Sequence, residues 1–362
     1  MVDRGGSLED LVMRNIDRAF WRGRRVVVTG HTGFKGAWLS LLLERLGATV
    51  TGIALAPDPG ASAFAALGIR ERVDHHEIDI RNRAALTAAL REANPDLVFH
   101  LAAQALVGRS YRDPVGTFEV NVTGTVNLVT ALRGSGAMAA VIVTSDKVYR
   151  NEGSGRAFVE TDPLGGDDPY SASKAACEIA VASLAHSFRE ELPAVATARA
   201  GNVIGGGDFG EERLIPDLVR AELSGSELIV RRPDATRPFQ HVFDVLTGYL
   251  LLAETLVQDA GNAPHAVNIG PEQKETPVRA VLDGYGAARG RPVRWRAASS
   301  PAFAEAQRLT LDASLIAARL GWRPRYDLQA ALAHTARWYD AWQHGEDMAR
   351  YSVAAAETLI TP

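Results

Sequence analysis

Short apolar runs alternate with helical patterns through the first half of the chain. Arg25-Val-Val-Val-Thr29 reads as a strand, after which Leu39, Leu42, Leu43 and Leu46 recur at the spacing of one helix face. A second strand is expected over 49–55, following the turn residue Gly47, and a helix over 84–93 with Leu86, Leu90 and Ala93 aligned. Residues 96–101 and 140–145 are further apolar strands, separated by a helix across 115–132. Another helix covers 170–190 and another strand 193–199. Strands apolar nearly throughout, alternating with helices, predict an α/β fold with a doubly wound parallel sheet covered on both faces.

After Arg199 the rhythm breaks. Glycine crowds into GNVIGGGDFG, a short helix starts at Pro216, and a basic loop runs Arg231-Arg-Pro-Asp-Ala-Thr-Arg237. Residues 241–256 read as a helix returning to the first lobe, 267–269 as a last strand, and 328–342 as a closing helix. The division expected is an N-terminal extension over 1–20, a nucleotide-binding lobe over 21–199 plus about 240–270, a smaller discontinuous C-terminal substrate lobe over 200–239 plus about 271–350, and a tail over 351–362.

Composition narrows the classes. The chain has 362 residues, 46% hydrophobic and 23% charged, as in ordinary globular proteins. A net charge of −4 gives no nucleic-acid or membrane surface. Charges run through the first 21 residues, so no signal peptide is expected, and no apolar stretch approaches the ~20 residues of a membrane span. The lone Cys177 excludes an internal disulfide and a multi-thiolate metal site, and fits a cytoplasmic setting. His75-His76 and His241 lack a third ligand at sensible spacing, so no metal is expected. Of 39 basic residues only Lys35, Lys147, Lys174 and Lys274 are lysines; arginine has taken nearly every other position.

The chemistry-bearing motifs fall at strand ends. Gly30-His-Thr-Gly33-Phe-Lys-Gly36 lies between the first strand and first helix, where glycines let the backbone turn, approach a pyrophosphate and present helix amides to it. Tyr170-Ser-Ala-Ser-Lys174 sets a phenol and an ammonium on one helical face. A tyrosine titrates near ~10, so its use as a base near neutral pH needs nearby positive charge, which the lysine and an oxidised nicotinamide supply. Ser145, at the end of a central strand, is followed by Asp146-Lys147, a pair of opposed protonation; lysine, unlike arginine, can lose its proton when desolvated.

The GxxGxxG loop, Ser145, Tyr170 and Lys174 together resemble the extended short-chain dehydrogenase/reductase family, and the acid–base pair after the serine resembles its sugar-nucleotide 4,6-dehydratases. TGHTGFKGAWL, HLAAQALVGRSY, TSDKVYRN, GGDDPYSASK, ARAGNVIGGGDF, RPFQHV and LDASLIAARLGW match the CDP-glucose branch in order, over about residues 20–342. Phe209 and Phe239 depart from it, standing where tryptophan is common. The resemblance implies a Rossmann-type sheet and hydride transfer from C4 to C6 of CDP-glucose, with loss of water across C5 and C6. It implies catalytic roles for Ser145, Asp146, Lys147, Tyr170 and Lys174, with Asp146 the acid and Lys147 the C5 base. Cofactor contacts are implied at Gly30, Thr32, Gly33, Phe34, Lys35, Gly36, Asp79, Ile80, Leu101, Ala102, Ala103 and Thr144, besides Tyr170 and Lys174. Gln104, Tyr111, Asn202, Arg213, Arg231 and Arg237 are the expected substrate contacts, the arginines toward phosphate. The cofactor expected is NAD, with NADP open: the second strand ends Gly52-Ile-Ala-Leu-Ala-Pro57, with neither an arginine nor a carboxylate before Asp58. A homodimer is a family-level expectation. Other sugar-nucleotide enzymes of the family, such as a 4-epimerase, and a non-enzymatic NAD(P)-sensing regulator remain as alternatives.

Overall fold

A computed structural model describes residues 13–57, 59–153, 155–272, 275–299 and 308–360, so Asp58 and Lys274 lie outside the described residues. Seven parallel strands form the main sheet, in the order β11-β6-β5-β4-β1-β2-β3. They are β1 (Arg25–Thr29), β2 (Thr49–Ala54), β3 (Asp74–Glu77), β4 (Leu97–His100), β5 (Ala139–Val143), β6 (Ala194–Ala200) and β11 (Ala266–Ile269). Successive strand residues serve opposite faces. Val26 and Val28 join a core with Leu39, Leu42 and Phe99, whereas Val27 packs with Leu86, Val98, Leu128 and Ile142. Both faces are covered, which is why the strand sequences show no polar alternation. Burying each such side chain is worth roughly 1.5–3 kcal/mol.

The short α1 (Arg18–Trp21) precedes β1, and α2 (Phe34–Leu46) stops at Gly47, whose left-handed backbone (φ 92°) returns its amide to Glu44 and Leu43. After α3 (Ala63–Ala66) and the edge strand β3, α4 (Arg83–Ala93) starts on the Asn82 side-chain cap. β3 reads Asp-His-His-Glu, with exposed ends and no apolar run, so its strand state comes from pairing with β2. The helix expected over 115–132 is interrupted: after α5 (Val107–Arg112) come α6 (Pro114–Phe118), a π-helical stretch Glu119–Thr123, and α7 (Gly124–Ala131). The π-turn carries Asn121, whose amide accepts from Gln104 N at 2.8 Å and donates to Ser173 Oγ at 2.9 Å. α8 (Pro169–Ser187) begins with the Asp168 cap and a proline at its first position.

Beyond β6 the chain builds small two-stranded pieces: β7 (Val203–Ile204) with β10 (Gln240–His241), β8 (Leu228–Val230) with β13 (Trp295–Ala297), and β9 (Thr236–Arg237) with β12 (Thr276–Pro277). α9 (Leu214–Leu223), α11 (Val278–Ala288), α12 (Ser314–Leu320) and α13 (Leu328–Gln343) accompany them. α10 (Val242–Gln258) returns to pack on β5 and β6. Its buried Glu254 accepts from Trp21 Nε1 at 2.8 Å and Arg14 Nη2 at 2.9 Å, anchoring the described end of the N-terminal extension. The tail expected from 351 belongs instead to a helix, α14 (Met348–Ile360): Met348, Ser352, Ala356 and Leu359 recur at helical spacing and are buried, and the helix packs on α2. Among the described residues no helix is long and apolar enough to cross a membrane.

Candidate active site

The glycine loop is packed from both sides. A methyl group on Gly36 would lie 2.1 Å from the Gly30 carbonyl oxygen, and one on Gly30 would lie 2.6 Å from Ala102 N. Gly30 also takes φ 75°, so the sharp exit from β1 needs glycine. Leu101 N and Ala102 N donate to the backbone oxygen and Oγ1 of Thr29, holding the Leu101-Ala-Ala103 segment beside the loop. Thr32 Oγ1 donates to Leu55 O at 3.0 Å, tying the loop to the end of β2.

His31, not singled out in the sequence, fills the space left by Gly52: a methyl group there would lie 2.4 Å from the imidazole. Its ring meets Phe64 edge-on, with Nε2 2.6 Å from His75 Nδ1. Burial, then the neighbouring His75, pulls His31 down to about 4. Asp79 is engaged by Arg81, which holds its carboxyl below the usual range. Ile80 is buried and would meet a methyl on Gly124 at 2.5 Å, explaining that glycine.

At the end of β5, Ser145 caps a single 3₁₀ turn, Asp146–Val148. Its Oγ accepts from Lys147 N at 3.2 Å and donates to Asp146 Oδ1 at 3.0 Å. Asp146 is fully buried; Lys147 Nζ lies 3.5 Å from Oδ1, and Asn202 Nδ2 donates to Oδ2 at 3.2 Å. Gly201 closes the fourth side, since a methyl group there would sit 1.9 Å from Oδ2. Lys147 is about a third exposed, with 29% of its side chain accessible, so the two partners differ sharply in access to water. Tyr170 and Lys174 stand one turn apart on α8, and Lys174 Nζ donates to Val143 O at 3.2 Å, which fixes α8 against the end of β5.

Behind this turn lies a buried ion pair that the sequence did not mark. Glu178 takes two donors from Arg199, at 3.0 and 2.8 Å, and one each from Thr144 Oγ1 and Thr197 Oγ1. Arg199 also reaches Tyr149 at the far end of TSDKVY. The pair therefore joins α8, β5, β6 and the segment carrying Asp146 and Lys147, and the Thr144 hydroxyl faces it.

A cleft between the sheet ends and the smaller elements is lined by Lys35, Ser145, Asp146, Lys147, Tyr170, Asn202, Asp208, Arg213, Arg231 and Arg237, with Leu228, Ile229 and Phe239 on its apolar side. Arg213 Nη1 holds Asp208 Oδ1 at 2.8 Å, and Arg231 Nη2 donates to Glu212 O. Asn202 (φ 50°) and Glu212 (φ 58°) take left-handed backbone at the cleft. Two expected contacts are not brought there. Gln104 is turned inward, its amide bonded to Leu106 and Thr117 so that it braces the loop after β4. Tyr111 is 45% exposed on α5, while Leu106 and Val107 before it line the cleft instead. His241 lies tilted against Tyr326, with ring centres 4.6 Å apart, and edge-on to His334 rather than facing a ligand set. No group of three His, Cys, Asp or Glu residues in metal-binding geometry occurs among the described residues.

A model of the NAD-dependent epimerase/dehydratase family matches residues 26–270. The chain belongs to this family. It is 39% identical over 341 residues to a CDP-glucose 4,6-dehydratase of Salmonella typhimurium, covering 92% of this chain and 95% of that protein. Against a dTDP-glucose 4,6-dehydratase of Xanthomonas campestris pv. campestris, identity is 30% over 334 residues, with 86% and 92% covered. A UDP-glucose 4-epimerase of Stenotrophomonas maltophila, solved with bound NAD and formylated UDP-arabinopyranose, superposes with a TM-score of 0.77 at 25% identity, over 89% of this chain and 99% of that one.

The residues present fit the family's dinucleotide. Gly33 caps α2 without a side-chain hydrogen bond, and a methyl group there would meet nothing closer than the Gly30 oxygen at 3.4 Å. The first amides of α2 are thus left for an anion, as a pyrophosphate site requires.

Proposed function

We propose that the protein is a hydro-lyase that converts CDP-glucose to CDP-4-dehydro-6-deoxyglucose, using NAD that is regenerated in each turnover. The carrying observation is Asp146-Lys147 directly after Ser145, lining one cleft with Tyr170; the identity to a CDP-glucose 4,6-dehydratase supports the same assignment. Gly30, Gly33 and Gly36, with the amides at Phe34 and Lys35, would hold the pyrophosphate; Leu101, Ala102 and Ala103 would flank it. Arg213, Arg231 and Arg237 would meet the substrate diphosphate. NAD, when bound, supplies the acceptor and then the donor of the hydride that leaves C4 and arrives at C6.

The chain's own residues manage the protons. Tyr170 takes the proton of the 4-hydroxyl, with Ser145 orienting that oxygen and Lys174 holding α8 to the strand end. Lys147, exposed to the cleft, takes the C5 proton made acidic by the new ketone. Asp146 protonates the departing C6 hydroxyl, and Lys147 then returns a proton to C5. Such acid–base groups are each worth about 10²–10⁴ in rate.

Val115, Phe118 and Ile179, exposed on α6 and α8, support a homodimer of two such chains joined over these helices. A cytoplasmic setting, which keeps thiols reduced, agrees with the unpaired, buried Cys177.

Incubation with CDP-glucose in deuterated water tests the reading: a product lighter by one water and deuterated at C5 is expected. Clean inversion at C4 without dehydration would overturn it in favour of a 4-epimerase.

A further inference from the structure

Proton balance leaves one task without a residue. Across the turnover proposed above, on which this inference rests, Tyr170 gains the 4-hydroxyl proton and Asp146 loses one to the departing water. Lys147 takes the C5 proton and gives a proton back to C5 from its solvent-exchanged ammonium, so it ends unchanged. The enzyme therefore finishes with one proton too many on Tyr170 and one too few on Asp146. Ser145, Lys147, Gly201 and Asn202 surround Asp146 except where it lines the cleft, so its proton has to be restored from the cleft side.

Lys35 lies in the same cleft as both groups. A phosphate-binding loop works through its backbone and needs no ammonium at this position. The side chain is nevertheless directed inward, and among the described residues its only hydrogen bond is to Tyr249 Oη at 3.3 Å. Tyr249 is itself fully buried on α10, and burial, then the charge of Tyr170, pushes its hydroxyl well above the ordinary tyrosine value. No carboxylate forms an ion pair with Lys35 among the described residues, and the residue is half-buried on the cleft wall. Burial, then Lys174 and Arg213, lower it to about 7, with Asp146 and Asp208 opposing the fall. Three of the chain's four lysines thus converge on one site in a protein that otherwise uses arginine. Arginine could not exchange a proton there.

We propose that Lys35 is the proton carrier that resets the site, taking the proton left on Tyr170 by way of Tyr249 and cleft water and passing it to Asp146. The Tyr170 O–H bond breaks as a Lys35 N–H bond forms; that N–H bond then breaks as the Asp146 O–H bond forms. No electrons move, and no co-reactant is consumed.

The lysine count makes a direct test practical. Protein labelled with carbon-13 at lysine Cε gives four signals, assigned by Lys35→Met. In the NAD-loaded enzyme the Lys35 signal is expected to titrate within about a unit of pH 7. A midpoint above pH 9 overturns the proposal. In rapid-quench assays with CDP-glucose, Lys35→Arg is expected to form one product equivalent per site within 10-fold of the wild-type rate, then to continue at least 50-fold more slowly. Steady turnover of Lys35→Arg at the wild-type rate overturns the proposal, since a fixed charge would then suffice. Should Lys35→Arg retain no bound NAD, Tyr249→Phe replaces it in the quench assay: the same burst and slow phase are expected, and a wild-type steady state overturns the relay. Failure of the wild-type protein to dehydrate CDP-glucose would instead count against the proposed function, with the titration of Lys35 still read independently.

Discussion

Asn202 Nδ2 donates to Asp146 Oδ2 at 3.2 Å, so a residue two positions beyond β6 orients the carboxylate at the end of β5. Hydrogen bonds to charged groups contribute about 1.5–3 kcal/mol. Asn202→Ala is expected to lower the dehydration rate roughly 10–100-fold, by that same energy, while bound NAD is retained. An unchanged rate would show that Ser145 and Lys147 alone hold the carboxylate.

Lys147→Arg keeps a positive charge beside Asp146 but removes a group able to give up its proton. Exchange of the C5 hydrogen with deuterated water should fall at least ~100-fold, within the range of a lost acid–base group. NAD stoichiometry, measured in parallel, should stay at the wild-type value. Full exchange in the variant would reduce Lys147 to the ion partner of Asp146.

The pair of Glu178 and Arg199 is almost wholly buried, with 4% and 5% of the side chains exposed. Glu178→Ala leaves the guanidinium uncompensated and should cost about 3–5 kcal/mol in urea denaturation. A loss below about 1 kcal/mol would mean that the pair adds little to stability.

His100 carries a pH-dependent part of the stability. Its ring sits between Thr29 Oγ1, 2.7 Å from Nδ1, and Thr125 Oγ1, 2.9 Å from Nε2. Burial, then Lys174, pulls it down to about 3. The folded state thus keeps His100 neutral while the unfolded chain takes the proton below about pH 6.5. Stability is full above that pH and is lost as the pH falls toward 3, by about 2 kcal/mol at pH 5. His100→Asn should remove this share of the difference between denaturation at pH 7 and at pH 5. An identical pH dependence in the variant would assign the loss to other groups.

Whatever is local and periodic could be read from the residue order. β1, α2, β5 and α8 were legible because apolar strands and helix-spaced leucines fix them without distant partners. Gly30, Gly33, Gly36, Tyr170, Lys174 and the Asp146-Lys147 pair were legible because their spacing alone sets them on one turn or one helical face. Packing in three dimensions set what depends on residues far apart in the chain. β3 exists because β2 offers it an edge, although Asp-His-His-Glu has no strand pattern. Gln104 looked like a pocket residue and became a loop brace when the π-turn brought Asn121 against it. Asn202 reaches Asp146 from 56 residues away, and Lys35 meets Tyr249 across 214. Such pairings are set by how the helices and the sheet pack, and a one-dimensional pattern records the faces that pack without recording which partner each face meets.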